Sequence, residues 1–343
     1  MEYLHVFESE TDYNTARETN YKEPWVSVTN IGGGGSTPSY RVNYNKSEYE
    51  KLLETPLTFE ITSNGNIVWK ANNTAYTVTL EYSKNGGEWT SITSNTGSSA
   101  PSIPVSAGDT IQFRCGTDDG YATMSSGLSR YNTFSGTTAG FNVNGNVMSL
   151  LNKDSFSTAD TLQSTHTFSS LFQYCTGLTD ASKLILPVTT LTNFCYGYMF
   201  ARCTSLTTAP ELPATTLASE CYSCMFEGCT GLTSAPSSIG TTATTMSNSA
   251  CTRMFYGCSN LTTAPELPAT TLANFCYSYM FSGCSSLNYI KAMFTTTPST
   301  TYTNNWVKGV ASTGTFVKNS AATWDVTGSN GIPTGWTVQT ATS

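Results

Sequence analysis

Charge is what this 343-residue sequence has least of: Asp, Glu, Lys and Arg make up 11% of it, against about a quarter in ordinary soluble domains. The polar surface must therefore be built from hydroxyls and amides, which abundant Thr, Ser, Asn and Gly supply. Cations are the scarcer sign, 16 against 23 anions, and the formal net charge of -7 excludes a general positive field for nucleic acid or an anionic membrane. Long apolar runs are also missing. Nothing approaches the roughly 18 residues that a spanning helix needs, so no membrane insertion is expected. Histidine is reduced to His5 and His166. Neither has a nucleophile and an orienting group in a recognisable local pattern, so the chain reads as non-enzymatic, with no catalytic residue and no cofactor. The acidic start MEYLHVFESETDY has neither the basic nor the apolar region of a secretory signal, which leads us to expect synthesis in a cytosol without standard export.

What is present is a repeat, and it decides the architecture. The pair Leu171-Phe172 recurs as Met199-Phe200, Met225-Phe226, Met254-Phe255 and Met280-Phe281, at intervals of 28, 26, 29 and 26 residues. Three residues after each aromatic comes a cysteine (Cys175, Cys203, Cys229, Cys258, Cys284), and three later a leucine (Leu178, Leu206, Leu232, Leu261, Leu287). A second cysteine column precedes the pairs at Cys195, Cys221, Cys251 and Cys276. One such copy cannot bury its own apolar face, so copies must stack, with Phe172, Phe200, Phe226, Phe255 and Phe281 as the repeated core. Each copy is expected to hold one strand-like leucine segment and one helix-like aromatic segment. At strand spacing, five copies make a rod only about 20–25 Å long.

Zinc ligands usually come about two to four residues apart, whereas cysteines of the two columns lie seven or eight apart. Buried free thiols, behaving as small apolar residues, fit better than a metal site. Cys221 and Cys224 have redox-pair spacing, but Cys224 falls in the column of Tyr198 and Tyr279 and reads as a drifted aromatic position. The repeats hold few carboxylates (Asp180, Glu211, Glu220, Glu227, Glu266), too few for a convincing catalytic pair. Glu211 and Glu266 share one repeat position and read as solvated. Tyr196, Tyr222 and Tyr277, beside the second cysteine column, could stack on sugar rings from an exposed face or pack between copies.

The Phe-x-x-Cys-x-x-Leu core resembles the leucine-rich repeats of BspA-like surface proteins of gut and oral bacteria, over roughly residues 165–294. Upstream, Val78, Leu80 and Tyr82 alternate with polar residues before a turn at Asn85-Gly86-Gly87, and Leu57, Phe59, Ile61, Ile111 and Phe113 repeat the alternation. The fold expected is mainly β with short helices. Residues 1–30 are an attachment segment, 31–40 a Gly-rich linker, 41–120 an immunoglobulin-like β-sandwich with its lead-in, and 121–164 a hairpin and solenoid N-cap. The leucine-rich-repeat solenoid occupies 165–294 and a C-terminal cap 295–343. The run Gly32-Gly33-Gly34-Gly35 lacks the Lys-Ser or Lys-Thr of a phosphate loop and serves as a joint.

Fifteen of the 39 charged residues precede residue 61. Within that stretch, residues 20–62, with a Pro-Trp-Val-Ser element, resemble the leader of structural proteins of Bacteroides-infecting crAss-like tailed phages. That resemblance implies a head fibre or decoration protein on the virion surface. The leader would bind capsid or other virion proteins through Pro24 and Trp25, and the repeats a host-surface glycan or protein; a homotrimer is a further expectation. The alternative is a BspA-like adhesin on a bacterial cell surface whose export signal is missing.

Overall fold

The computed structural model describes residues 3–7, 27–30, 40–44, 46–116, 131–240 and 245–341. The protein is mainly β, with several sheets and, among the described residues, a single α-helix. Strands β1 (Tyr3–Phe7), β2 (Ser27–Asn30) and β3 (Tyr40–Tyr44) form an antiparallel sheet in the order β1, β3, β2. β3 lies beyond the glycine run and pairs with both strands that precede it. Pro24, Trp25 and the run Gly32–Gly35 lie outside the described residues.

Helix α1 (Lys46–Glu54) carries Glu48 in its first turn and Lys51 in its last, each placed to favour the helix dipole, and it ends before Pro56. Next come β4 (Leu57–Ser63), β5 (Gly65–Val68), β6 (Lys70–Ala71), β7 (Thr79–Lys84) and β8 (Thr90–Thr93). They are followed by β9 (Ser102–Val105), β10 (Thr110–Cys115), β11 (Asn132–Thr133), β12 (Gly140–Asn146) and β13 (Leu178–Ile185). One six-stranded sheet runs β13-β12-β4-β10-β7-β8, and β5-β9 and β6-β11 are two-stranded ribbons. The alternation is physical: Leu57, Phe59 and Ile61 of β4 and Ile111, Phe113 and Cys115 of β10 are buried. Between β7 and β8 the chain reverses at Asn85 (φ 53°) and Gly86 (φ 70°), the left-handed pair that a tight hairpin turn needs.

Residues 121–130, where the expected hairpin would begin, lie outside the described residues. β11 pairs with β6, whereas β12 pairs antiparallel with β4 and parallel with β13. β12 thus joins the upstream sheet to the first repeat. Gly145 makes that approach possible, since at φ 77° an added Cβ would overlap the Pro56 carbonyl oxygen. Phe59 stacks on Phe141 at 4.6 Å and lies 6.0 Å from Phe172, so one hydrophobic core runs from Leu57 through the repeats to Trp336.

The aromatic segments of the repeats are not helical, contrary to expectation. In the first copy the amides of Leu171, Gln173 and Cys175 bond to carbonyls three residues back, while those of Phe168, Ser170, Phe172 and Tyr174 cross to Cys195, Gly197, Met199 and Ala201 of the next copy. The crossing bonds from Phe172, Phe200, Phe226, Phe255 and Phe281 measure 2.7 to 2.9 Å. Every fourth residue has positive φ, as at Phe194, Tyr198 and Arg202, or Glu220, Cys224 and Gly228. Each segment is therefore a string of turns. An α-helix would satisfy its amides internally and hold neighbours about 8–10 Å apart, but these rings stack at 5.3, 5.4, 5.3 and 5.7 Å. Only a flat segment at strand-like spacing allows that distance.

Between the aromatic segments the connectors also run in parallel, with single bridges Asp180 to Thr208, Thr208 to Ser234 and Thr263 to Tyr289. Near the C-terminus β14 (Tyr289–Ala292), β15 (Thr315–Lys318) and β16 (Thr337–Thr340) make a parallel sheet in that order. A sixth turn segment precedes β15: Phe281 and Gly283 donate to the carbonyls of Trp306 and Lys308. Trp306 takes the methionine place and Val307 the phenylalanine place.

Candidate interaction surface

The five core phenylalanines, Phe172, Phe200, Phe226, Phe255 and Phe281, are fully buried in one continuous stack. The cysteines after them do more than fill space. The thiols of Cys203, Cys229, Cys258 and Cys284 lie 3.0 to 3.1 Å from the carbonyl oxygens of Phe172, Phe200, Phe226 and Phe255 in the preceding copy, and donate to them. Cys175, in the first copy, is buried as well, and all eleven cysteines are free. Burial pushes the thiols of Cys221, Cys229, Cys276 and Cys284 up to about 12, so none of these is a nucleophile near neutral pH.

Of the two roles left open for Tyr196, Tyr222 and Tyr277, the structure gives them the buried one. Tyr196 stacks between Phe168 and Tyr222 at 5.9 and 6.0 Å, and Tyr277 lies against Trp306 at 6.1 Å. Sequence periodicity marks these residues as a column but cannot tell which side of the chain faces the core. That depends on where φ is positive.

The residues at positive φ, with their neighbours, make the outer face of the turn segments. Three large side chains stand out from it: Tyr174 is 57% exposed, Phe275 50% and Tyr256 37%. Cys224 does share its column with Tyr198, Arg253 and Tyr279, all at φ near 55°. Burial first, with Glu227 adding to it and the Tyr198 hydroxyl partly opposing it, raises its thiol to about 11. Cys221 lies in the core column, so the two are not a redox pair. The column begun by Arg202 continues as Gly228, Gly257, Gly283 and Gly309, all with φ between 71° and 80°.

Charged groups on the face are few. The Arg253 guanidinium lies 5.3 Å from the Tyr256 ring centre and 5.4 Å from that of Tyr279. Arg202 is 3.6 Å from Glu227. His166 rests against the Phe194 ring at 4.8 Å, with Nδ1 3.0 Å from Thr165 Oγ1. Three of the remaining repeat carboxylates bind their own scaffold. Asp180 accepts from the Ser182 amide, Glu211 from the amide and hydroxyl of Ser237, and Glu266 pairs with Lys291 at 3.0 Å. Among the described residues no group of three or more His, Cys, Asp or Glu could hold a metal ion, and no helix is long and apolar enough to cross a membrane.

The exposed rings, Arg253 and the sixth segment escape a search built on the Met-Phe and Cys columns. Their signal is the glycine column: Gly309 follows Gly283 at the 26-residue interval that separates Gly283 from Gly257. No protein-family model, curated protein or solved structure matches the chain.

Proposed function

We propose that this chain is a non-enzymatic virion surface protein of a tailed phage, a head fibre or decoration protein. Its leader attaches it to capsid or other virion proteins. Its repeats, read as a leucine-rich-repeat solenoid beside an immunoglobulin-like sandwich, are displayed for adhesion to a host-surface glycan or protein. The observation that carries this reading is the division of labour within each copy. Phenylalanine, tyrosine and cysteine columns face inward and are consumed by stacking, while the positive-φ column changes from copy to copy, through Tyr198, the buried Cys224, the exposed Arg253 and then Tyr279. A surface that varies on a constant core suits recognition better than turnover.

The leader's likeness to phage structural proteins supports the attachment role, and its described residues pair as a three-stranded sheet. Homotrimer formation belongs to the same reading. Removing residues 1–45 is expected to abolish incorporation into particles while the melting transition of the remaining chain is kept, and Trp25→Ala in the full chain should reduce incorporation. Normal copy number of the truncated protein on purified particles would place the anchor elsewhere.

A further inference from the structure

The turn face of the last three copies has a charge character opposite to that of the chain. Residues 249–261, 275–287 and 301–313 contain no Asp or Glu, although the protein carries a net charge of -7. They do contain Arg253 and Lys308, both exposed, and neither forms an ion pair among the described residues. Arg253 is nevertheless held in place. Its guanidinium lies against Tyr256 of its own copy and Tyr279 of the next, and Asn304 Nδ2 donates to the Tyr279 hydroxyl at 3.3 Å. An arginine fixed by two rings with its edge donors unspent is ready to take a planar anion in a bidentate grip. Beside Tyr279 on the same copy, Phe275 presents a half-exposed ring. Lys308 falls two copies along the column of Tyr256, roughly 10 Å away at strand spacing.

We infer that this face binds a carboxylated saccharide, with a sugar carboxylate on Arg253 and the apolar face of a sugar ring on Phe275. A second acidic sugar reaches Lys308. An acidic peptide is the poorer fit. The turn segments have already used alternate amides on the next copy, so no open row of backbone groups remains for a strand to join. What the face offers instead is ring surface and a cation, which suits a pyranose carrying a carboxylate. The inference rests on the reading of the repeats as an adhesive display surface.

The test is binding of the full chain to an oligogalacturonate, to its neutral methyl ester and to poly-glutamate, by calorimetry at low and moderate salt. Oligogalacturonate should bind, and the ester at least about tenfold more weakly, the size of one lost charge-assisted contact. Poly-glutamate should not compete. Arg253→Gln should lower oligogalacturonate affinity by about tenfold and Phe275→Ser severalfold, with both variants melting as the parent does. Equal binding of the ester, equal binding of poly-glutamate, or an unchanged Arg253→Gln overturns the inference. If the parent chain binds host cells but no oligogalacturonate, only this ligand class is wrong. If it binds neither, the display reading falls with it.

Discussion

Replacing Phe226 with Ala should cost about 3–5 kcal/mol, the usual loss for a buried phenylalanine, and the loss should be felt along the whole stack. Phe226 is fully buried between Phe200 at 5.4 Å and Phe255 at 5.3 Å. Its amide donates to Met254, and its carbonyl accepts from the Cys229 amide and the Cys258 thiol. Removing the ring therefore opens a cavity at the point where three copies hold one another. The neighbours cannot close it without breaking crossing amide bonds. Phe275→Ala on the outer face is the matched control, and half exposure limits its cost to about 1 kcal/mol or less. Denaturant titration of both variants gives the comparison. Equal midpoints for Phe226→Ala and the parent would mean that the aromatic ladder is not the core.

Alkaline pH should unfold the protein cooperatively. The thiols of Cys221, Cys229, Cys276 and Cys284 are held near 12 by burial, against an ordinary thiol value of 9.0. A folded-state pKa above the unfolded one means that the folded form keeps protons which the unfolded form releases. Stability from these groups is thus complete below pH 9 and is lost as pH rises toward 12. At pH 10 each such thiol costs on the order of 1 kcal/mol, and the four together several kcal/mol, a large part of the margin of a typical domain. Buried Tyr196, Tyr222 and Tyr277, also raised by desolvation, add to the loss at still higher pH. Circular dichroism against pH should show a transition near pH 10, with thiol labelling slow below it and rapid above it. Unchanged stability between pH 8 and pH 11 would contradict the buried-thiol account.

Much of this was legible in the residues. The Phe and Cys columns mark the core because a side chain that must meet its own image one copy away repeats with the copy. Leu57, Phe59 and Ile61 mark a half-buried strand because strand side chains alternate faces. Other features left a weaker trace. Positive φ at Tyr198 or Arg253 is a property of turns that only the neighbouring copy stabilises, so local pattern suggested a helix where a string of turns forms. The sixth segment was hidden because Trp306 and Val310 stand where the earlier copies have Met and Cys, so neither repeat column marks it. β3 pairs with β1 and β2 across the glycine run, and composition changes at that run even though pairing does not stop there. Periodicity leaves Tyr196 open between an exposed and a packed role; it is buried and Tyr174 and Tyr256 are exposed, because which side of a turn segment faces out depends on backbone handedness.

The central claim is that the chain is displayed on virions, and quantitative mass spectrometry of gradient-purified particles tests it most directly. The account predicts peptides from both the leader and the repeats at a fixed ratio to the major capsid protein, with intact particles bound by an antibody against the Arg253 and Phe275 face. Absence of the chain from particles, with its peptides recovered in the bacterial envelope fraction, would contradict the account and favour a cell-surface adhesin.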